Sequence, residues 1–264
     1  MPRFNANITM LFQELDFMDR FKAAADAGFK GVEYLFPYDY EADRLVAALE
    51  GNGLVQVLHN MPPGDWAAGE RGLASLPDRV GEFQDSVGKA IEYAKALGCP
   101  QVNCLAGIPG DGVAPEKAHG TFVENLKFAA PQFEAAGIKL LIEAINSMDI
   151  PGFFLNTSKQ TERVLADVGH DNVYFQFDAY HMQIMEGDIC RTVERLLPRI
   201  PHIQIADNPG RHEPGTGEIN YPYFFAHLDA IGYGGWVGCE YIPAATTAEG
   251  LGWLRAAEAA SKAA

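Results

Sequence analysis

Strongly apolar runs alternate with amphipathic segments along the whole chain. The most apolar run, residues 138–145, follows Gly137 and contains one carboxylate, Glu143, near its end. Strands that are apolar on both faces are typical of parallel sheets covered by helices. We therefore predict that residues 138–145 form a buried parallel strand, with Glu143 close to the point where it ends.

The same pattern predicts seven further strands and eight helices that alternate with the strands. The strands are expected over residues 4–10, 31–36, 54–58, 101–106, 173–178, 202–207 and 236–240. The helices are expected over residues 14–27, 41–50, 79–97, 115–136, 157–168, 188–197, 221–230 and from 248 onward. Apolar side chains three and four residues apart support these helices. Thr157 and Gln160 have the spacing of a capping box at a helix start.

Eight strand–helix units in 264 residues favour an α/β fold, a (β/α)8 TIM barrel that spans residues 1–264 as a single domain. An open, doubly wound parallel sheet is the alternative. The pattern G-x-G-x-x-G does not follow the first predicted strand, which weighs against a dinucleotide-binding fold.

Charge and cysteine content narrow the function classes. The chain has 20 basic and 35 acidic residues, a net charge of −15, which opposes a general nucleic-acid partner because phosphates would be repelled. The four cysteines have no C-x-x-C spacing, and Cys104 and Cys239 lie in apolar strands, so buried thiols are expected. No 18-residue apolar span or signal-peptide core is found, so we expect a cytoplasmic protein that does not bind membranes.

Oxygen-bearing side chains lie at the ends of four consecutive predicted strands: Glu143, Asp178, Gln204 and Glu240. In a TIM barrel these ends meet at the catalytic face. Three carboxylates so close together need a cation to offset their repulsion. The ligands are all oxygen atoms, which favours Mg²⁺ or Mn²⁺ over zinc. Single members of the set could instead be loop caps or surface acids, and Asp207 competes with Gln204 as the ligand from its strand.

Two long loops are expected to take part in function, residues 61–77 and 208–220. The second contains Arg211, which could bind a substrate carboxylate or hydroxyl; a solvent-exposed arginine is the alternative. His181, just after Asp178, could contact a substrate oxygen or be satisfied within its own loop. The first loop is predicted to be a mobile lid or, alternatively, an ordered Ω-loop. The substrate-binding candidates are completed by two lid residues and the histidine that follows the third strand: Glu70, Arg71 and His59.

The sequence resembles the hydroxypyruvate isomerase family, within the xylose isomerase-like TIM barrels, nearly from end to end. The resemblance rests on residues 31–37 (GVEYLFP), 63–71 (PGDWAAGER), 141–146 (LIEAIN), 178–181 (DAYH), 204–211 (QIADNPGR), 213–218 (EPGTGE) and 238–241 (GCEY). It implies that Glu143 and Glu240 are the proton donor and acceptor. It also implies that both bind the divalent metal, together with Asp178 and Gln204.

Related families differ from this chain at identifiable positions. Ketose 3-epimerases have a histidine where this chain has Gln204, while their substrate-contacting histidine and arginine match His181 and Arg211. The zinc endonucleases of the same superfamily need more metal-binding histidines and a basic groove, and the sequence has neither.

The resemblance implies an isomerase of carbohydrate metabolism that acts on a small 2-oxo-3-hydroxy acid. Hydroxypyruvate would be converted to tartronate semialdehyde, or a 2-oxo-tetronate would be isomerised, through a metal-stabilised cis-enediolate. Two alternatives stay open: a ketose 3-epimerase, and a non-catalytic barrel that binds sugar acids. The expected partner is a small-molecule hydroxy-oxo acid, and homo-oligomerisation is left open.

Overall fold

The computed structural model describes residues 1–263, in which eight strands form a closed parallel barrel. Neighbouring strands follow chain order, and the last strand pairs with the first. The strands are β1 (Arg3–Asn7), β2 (Gly31–Glu33), β3 (Val55–Asn60), β4 (Gln101–Cys104), β5 (Lys139–Glu143), β6 (Val173–Asp178), β7 (His202–Ile205) and β8 (Trp236–Cys239). The predicted TIM-barrel fold is confirmed, and the open sheet is wrong.

Helices connect the strands. They are α1 (Arg20–Asp26), α2 (Ala42–Gly51), α3 (Val80–Ala96), α4 (Pro115–Ala135), α5 (Ser158–Val168), α6 (Ala179–Met185), α7 (Ile189–Leu196), α8 (Tyr221–Ala230), α9 (Thr247–Gly250) and α10 (Gly252–Ala263). Short 3₁₀ helices precede α1 and α3 and follow α7, at Phe17–Asp19, Pro77–Arg79 and Leu197–Arg199.

Local chemistry explains several helix ends. The Thr157 side chain caps α5 by accepting from the backbone N–H of Gln160 at 3.2 Å. The Gln160 side chain accepts from the N–H of Asn156 at 2.9 Å, one residue before the cap, so the capping box is only half formed. Gly169 ends the same helix with a φ of 64°, a left-handed conformation that costs glycine little.

Six of the eight strands described are shorter than predicted, and α6 was not predicted. The second strand ends at Glu33 rather than at residue 36, and the fifth at Glu143 rather than at residue 145. Pairing with a neighbouring strand, which apolar character cannot report, sets where a strand ends. Helix α6 begins directly after β6 because Asp178 caps it within a segment that the sequence indicated as loop.

The described chain groups into two compact units. The first contains residues 1–34 and 47–57 and the chain from Phe177 onward; the second contains residues 35–46 and 58–176. In the first unit, the ring of Phe4 meets those of Phe225 and Trp253 edge-on, with centroids 5.0 and 5.1 Å apart. In the second, the rings of Phe122 and Phe154 meet at 5.9 Å. That residues 1–264 behave as one domain stays a prediction.

Two expectations about cysteines and membranes can be compared with the structure. Cys104 and Cys239 are buried free thiols, as predicted. Within the described residues, no helix has the length and apolar character needed to cross a membrane. A cytoplasmic location stays a prediction.

Candidate active site

Glu240 follows β8 directly and is buried in the first unit. Its Oε2 atom accepts hydrogen bonds from Asn7 Nδ2, at 3.0 Å, and from Gln204 Nε2. Its Oε1 atom accepts from Arg211 Nη2 at 2.9 Å. Strands β1, β7 and β8 and the loop that contains Arg211 therefore hold this carboxyl group.

The environment of Glu240 suits proton exchange. Burial raises the pKa of Glu240 to about 8, against the lowering effects of the Arg211 charge and the Asn7 hydrogen bond; the charges of Asp178 and Glu33 raise it further. A group that titrates near neutral pH can both accept and return a proton during a reaction cycle.

A second carboxylate, Glu33, lies at the end of β2 and is fully buried. Its Oε1 atom accepts from Asn7 Nδ2 and Gln204 Nε2, at 3.1 and 2.8 Å. Its Oε2 atom accepts from Asn5 Nδ2 at 2.8 Å and lies 2.7 Å from His202 Nε2. Burial acts to raise the pKa of Glu33, but the His202 charge and the hydrogen bonds hold it below its ordinary value.

Asp178 and His181 lie at the junction of β6 and α6. Asp178 Oδ1 caps the helix by accepting from the backbone N–H groups of Tyr180 and His181, at 2.8 and 3.4 Å. Asp178 Oδ2 is buried, has no hydrogen-bond partner among the described residues, and lies 3.5 Å from His181 Nε2. Burial raises the pKa of Asp178 to about 6, although the Arg211 charge lowers it. One oxygen of Asp178 is therefore committed to the fold, and the other is available to a ligand.

Glu143 ends β5 and is buried in the second unit. Its Oε2 atom accepts from Asn103 Nδ2 at 2.9 Å, and the same amide nitrogen donates to Asn60 Oδ1 at 3.1 Å. His59, at the end of β3, lies 3.0 Å from the Asn60 carbonyl oxygen through its Nδ1 atom. Because a carbonyl only accepts, His59 Nδ1 carries the proton there. Burial lowers the pKa of His59 to about 4, so the ring is neutral.

Three of the predicted site residues have side chains of the kind that bind a metal ion. Asp178 and His181, in the first unit, and Glu143, in the second, each offer one ligand atom. Glu143 and Asp178 were predicted ligands, whereas His181 was predicted to contact substrate. The unpartnered Oδ2 atom of Asp178 and the two carboxylates fit a divalent cation. Metal binding by Gln204 and Glu240 stays a prediction.

Gln204 and Asp207, the two candidate ligands from the seventh strand, have different hydrogen-bond partners. Gln204 lies within β7 and its amide donates to Glu33 and Glu240. Asp207 instead accepts three backbone hydrogen bonds: Oδ1 from Asn208 and Ile219, both at 3.0 Å, and Oδ2 from Gly215 at 2.8 Å. Both oxygens of Asp207 therefore organise the loop over residues 208–220.

Comparison with known proteins decides the family. A model of the xylose isomerase-like TIM barrel family matches residues 21–257. The chain belongs to this family. It is 52% identical to the hydroxypyruvate isomerase of Escherichia coli, over 96% of this chain and 98% of that protein. It is 49% identical to the 2-oxo-tetronate isomerase of Cupriavidus necator, over 97% and 98%.

A solved structure agrees with the family assignment. The crystal structure of a Brucella melitensis protein described as AP endonuclease, family 2, superimposes with a TM-score of 0.95 at 46% identity and covers 97% of this chain and 99% of that one. The predicted resemblance to hydroxypyruvate isomerases is confirmed, as is the expectation of an enzyme of that kind.

Several polar residues of this family member's site were not predicted from the sequence: Asn5, Asn7, Glu33, Asn60 and Asn103. A signal for Glu33 existed, since it ends its strand as the predicted site carboxylates do. The second strand was predicted to continue to residue 36, which hid that signal. Asn5 and Asn7 are two apart in β1 and therefore point to the same side of the sheet.

Arg211 adopts a left-handed backbone conformation, with a φ of 54°. Its guanidinium lies over the Tyr180 ring at 5.2 Å and donates to Glu240. A non-glycine residue in this conformation needs support from its surroundings. Asp207 supplies part of this support, because its hydrogen bonds hold the loop that contains Arg211.

We expect Asp207→Ala to lower kcat/KM by on the order of 10- to 100-fold, because the loop would lose three hydrogen bonds and Arg211 would move. Stability should fall by about 1–3 kcal/mol, since buried N–H groups are left unpaired. Asp207→Asn keeps one acceptor oxygen, so its kcat/KM and its stability should lie between those of the wild type and of Asp207→Ala. Steady-state kinetics and thermal melting measure these effects. Full activity in Asp207→Ala would show that Arg211 does not depend on the loop.

The predicted lid, residues 61–77, has its candidate residues bonded to one another. Arg71 stacks over the Trp66 ring at 4.0 Å and donates to the carbonyls of Trp66 and Glu70 at 3.1 and 2.8 Å. Glu70 Oε1 accepts from Arg79 Nη1 at 2.6 Å. Trp66 also meets the Phe36 ring, with centroids 5.0 Å apart. Such contacts suit a loop that moves as one piece, and substrate binding by Glu70 and Arg71 stays a prediction.

If the lid closes over substrate, a non-reactive substrate analogue should change the emission of Trp66. Trp236 and Trp253 would be replaced by phenylalanine so that one fluorophore remains. Closure should shift the emission maximum or reduce quenching by iodide, because the ring loses contact with water. Unchanged emission and quenching at saturating analogue would favour the ordered Ω-loop.

Proposed function

We propose that this protein is an isomerase that interconverts a small 2-oxo-3-hydroxy acid with its aldehyde or ketone isomer. Hydroxypyruvate to tartronate semialdehyde is one candidate reaction, and isomerisation of a 2-oxo-tetronate is the other. The main support is near full-length identity of 52% and 49% to relatives named for these two activities. The buried carboxylates at the strand ends supply the chemistry that such a reaction needs.

The reaction moves one proton between neighbouring carbons. For hydroxypyruvate, a base removes a proton from C3, the electrons form an enediolate, and an acid delivers a proton to C2. A proton also passes from the C3 oxygen to the C2 oxygen, so atoms and charge balance. We assign the two carbon proton transfers to Glu143 and Glu240, each held in one orientation by amide hydrogen bonds.

Arg211 is assigned to the substrate carboxylate. Guanidinium groups bind carboxylates with well-aligned hydrogen bonds. In the structure this group bonds to Glu240 Oε1, so an anionic substrate bound to Arg211 would be held next to Glu240. An acid should therefore be preferred over a neutral ketose of the same length. His59 and His181 stay candidate contacts for substrate oxygens.

Glu143, Asp178 and His181 are the residues that would hold a divalent cation. When bound, the cation would polarise the substrate's carbonyl and hydroxyl oxygens. The imidazole of His181 adds a nitrogen to the predicted oxygen ligands, which favours Mn²⁺ over Mg²⁺. The chain's own contribution is to keep Asp178 Oδ1 on the α6 cap, so that Oδ2 stays directed at the site.

Proton NMR in deuterated water, with hydroxypyruvate, a 2-oxo-tetronate and a free ketose as separate substrates, tests this function. We expect isomerisation of at least one acid with deuterium incorporation at carbon, and slow or absent turnover of the ketose. Faster epimerisation of the ketose at C3 would favour the epimerase. Binding of the acids without exchange or turnover would identify a non-catalytic binding protein.

A further inference from the structure

We propose that Glu33 is a positioning residue for Glu240 and that it acts through the amide groups of Asn7 and Gln204. The inference deepens the proposed function and rests on it. Glu33 is fully buried at the end of β2, and its carboxylate contacts the side chains of Asn5, Asn7, His202 and Gln204.

The two carboxylates share the same hydrogen-bond donors. Asn7 Nδ2 lies 3.1 Å from Glu33 Oε1 and 3.0 Å from Glu240 Oε2. Gln204 Nε2 lies 2.8 Å from Glu33 Oε1 and also donates to Glu240 Oε2. An amide nitrogen has two hydrogens, so each amide can serve both carboxylates at once.

This sharing fixes which way the two amides point. If either amide rotated by half a turn, its carbonyl oxygen would face the Glu33 carboxylate and the shared hydrogen bonds would be lost. Glu33 therefore keeps the N–H groups of Asn7 and Gln204 directed at Glu240 Oε2. The other oxygen of Glu240, Oε1, accepts from Arg211.

The other oxygen of Glu33 secures the carboxylate itself. Oε2 accepts from Asn5 Nδ2 at 2.8 Å and lies 2.7 Å from His202 Nε2. Neither of these contacts involves Glu240. One side of Glu33 is thus anchored to the fold, and the other is used to orient Asn7 and Gln204.

A glycine provides the space for this carboxylate. A Cβ atom on Gly238 would lie 2.5 Å from both Oε1 and Oε2 of Glu33, far inside normal contact. Gly238 is the register partner of both Asn5 and Gln204 in the neighbouring strands. The space that the Glu33 carboxylate occupies beside β8 therefore leaves no room for a side chain at position 238.

Stability alone gives little reason to keep such a group. Replacing buried ion pairs by apolar side chains of similar size is often neutral or stabilising. Glu33 shares its hydrogen-bond donors with the catalytic carboxyl of Glu240, and this suggests a role in catalysis. Residues that surround a catalytic site commonly orient the groups that bind the ligand.

The main variant is Glu33→Met, which keeps the length of the side chain but removes the acceptor. We expect kcat to fall by about 10²-fold, as for a small misplacement of a catalytic group, with little change in KM. Glu33→Gln should restore most of kcat. Its Oε1 can accept from Asn7 and Gln204, and its nitrogen can donate to the buried, unpartnered Asn5 Oδ1 if the Asn5 amide rotates.

Two further variants separate positioning from structure. Asn7→Ala should lower kcat about tenfold by the same displacement argument. Combined with Glu33→Met, it should cost no more than Glu33→Met alone, because Glu33→Met already disturbs the contact between Asn7 and Glu240. Thr247→Val is the stability control. Its buried Oγ1 accepts from the Phe12 N–H at 2.6 Å, so the variant should melt earlier with unchanged kcat. Multiplicative losses in the double variant would overturn the proposal.

Crystal structures of the wild type and Glu33→Met test the positioning without any assay. We expect the Asn7 and Gln204 amides to rotate and Glu240 Oε2 to leave them. Glu240 unmoved with both hydrogen bonds intact would refute the proposal. If Glu33→Met does not fold, Gly238→Ala applies the same structural test by displacing the carboxylate. The wild type could be inactive on both acids while Glu240 is still displaced in the variant. That result would refute the proposed function but not the positioning role of Glu33.

Discussion

Glu240→Gln and Glu143→Gln should each lower kcat by about 10²–10⁴-fold, the usual effect of removing a positioned acid or base. Glutamine keeps the size and shape of the side chain but cannot exchange a proton. The amides that hold each carboxylate keep an acceptor oxygen, Asn103 for Glu143 and Asn7 for Glu240, so the fold should survive.

Deuterium exchange would assign the two roles. The variant that lacks the base should no longer exchange the substrate C3 proton with deuterated water. The variant that lacks the acid should still exchange this proton while isomerisation is lost. Glu124→Gln, an exposed glutamate of α4 that pairs with Lys127, is the matched control and should keep wild-type kinetics.

Two outcomes would remove a residue from the catalytic pair. The first is residual activity within a few-fold of the wild type. The second is a double variant much slower than either single variant, because residues that act in one proton-transfer sequence are not additive. Circular dichroism and thermal melting would exclude unfolding as the cause of lost activity.

Asp178→Asn is expected to weaken divalent-cation binding by at least about 100-fold. Loss of a residue that only supports a metal ligand costs up to about 100-fold, and loss of a ligand should cost more. Asparagine can still cap α6 through its carbonyl oxygen, as Asp178 Oδ1 does now. Its amide group would then place N–H donors where Oδ2 lies, beside His181. The positive edge of that amide would repel a cation.

Binding of Mn²⁺ can be measured without substrate by electron paramagnetic resonance, which reports free manganese, after treatment with a chelator. Asp188→Asn is the matched control because Asp188 also precedes a helix, α7, but is exposed. We expect one tight site in the wild type and in Asp188→Asn, and loss of it in Asp178→Asn. Equal binding by all three proteins would exclude Asp178 as a ligand, and no binding by any would exclude the cation site.

Much of the fold was determined by the sequence alone. The alternation of apolar runs with amphipathic segments predicted all eight strands in their order, because parallel strands buried on both faces have a distinctive composition. Among the described residues, fourteen glycines have a positive φ, including Gly28 and Gly137, which lie next to the predicted helix ends. The C-terminal ends of the helices were therefore predicted more closely than the strand ends, whereas α1 begins at Arg20 rather than at residue 14.

The sequence also identified the principal carboxylates. Glu143, Asp178 and Glu240 were singled out because each ends an apolar strand, and all three are buried where their strands end. A charged side chain in such a position is costly unless it has partners. This cost is what makes the carboxylates recognisable in the sequence. Their partners, Asn7 and Asn103, are polar residues within strands and gave no comparable signal.

Only the tertiary structure decided how these groups combine. Period-two alternation indicates that Gln204 and Asp207 face opposite ways, but not which of them faces the buried carboxylates; the hydrogen bonds from Gln204 to Glu33 and Glu240 settle that. Glu33 became recognisable as a strand-end carboxylate only when pairing ended β2 there. His181 joined Asp178 because one turn of α6 brings them together. The decisions on Gln204 and Glu33 depend on register and on contacts between residues far apart in the chain, which a linear pattern does not contain.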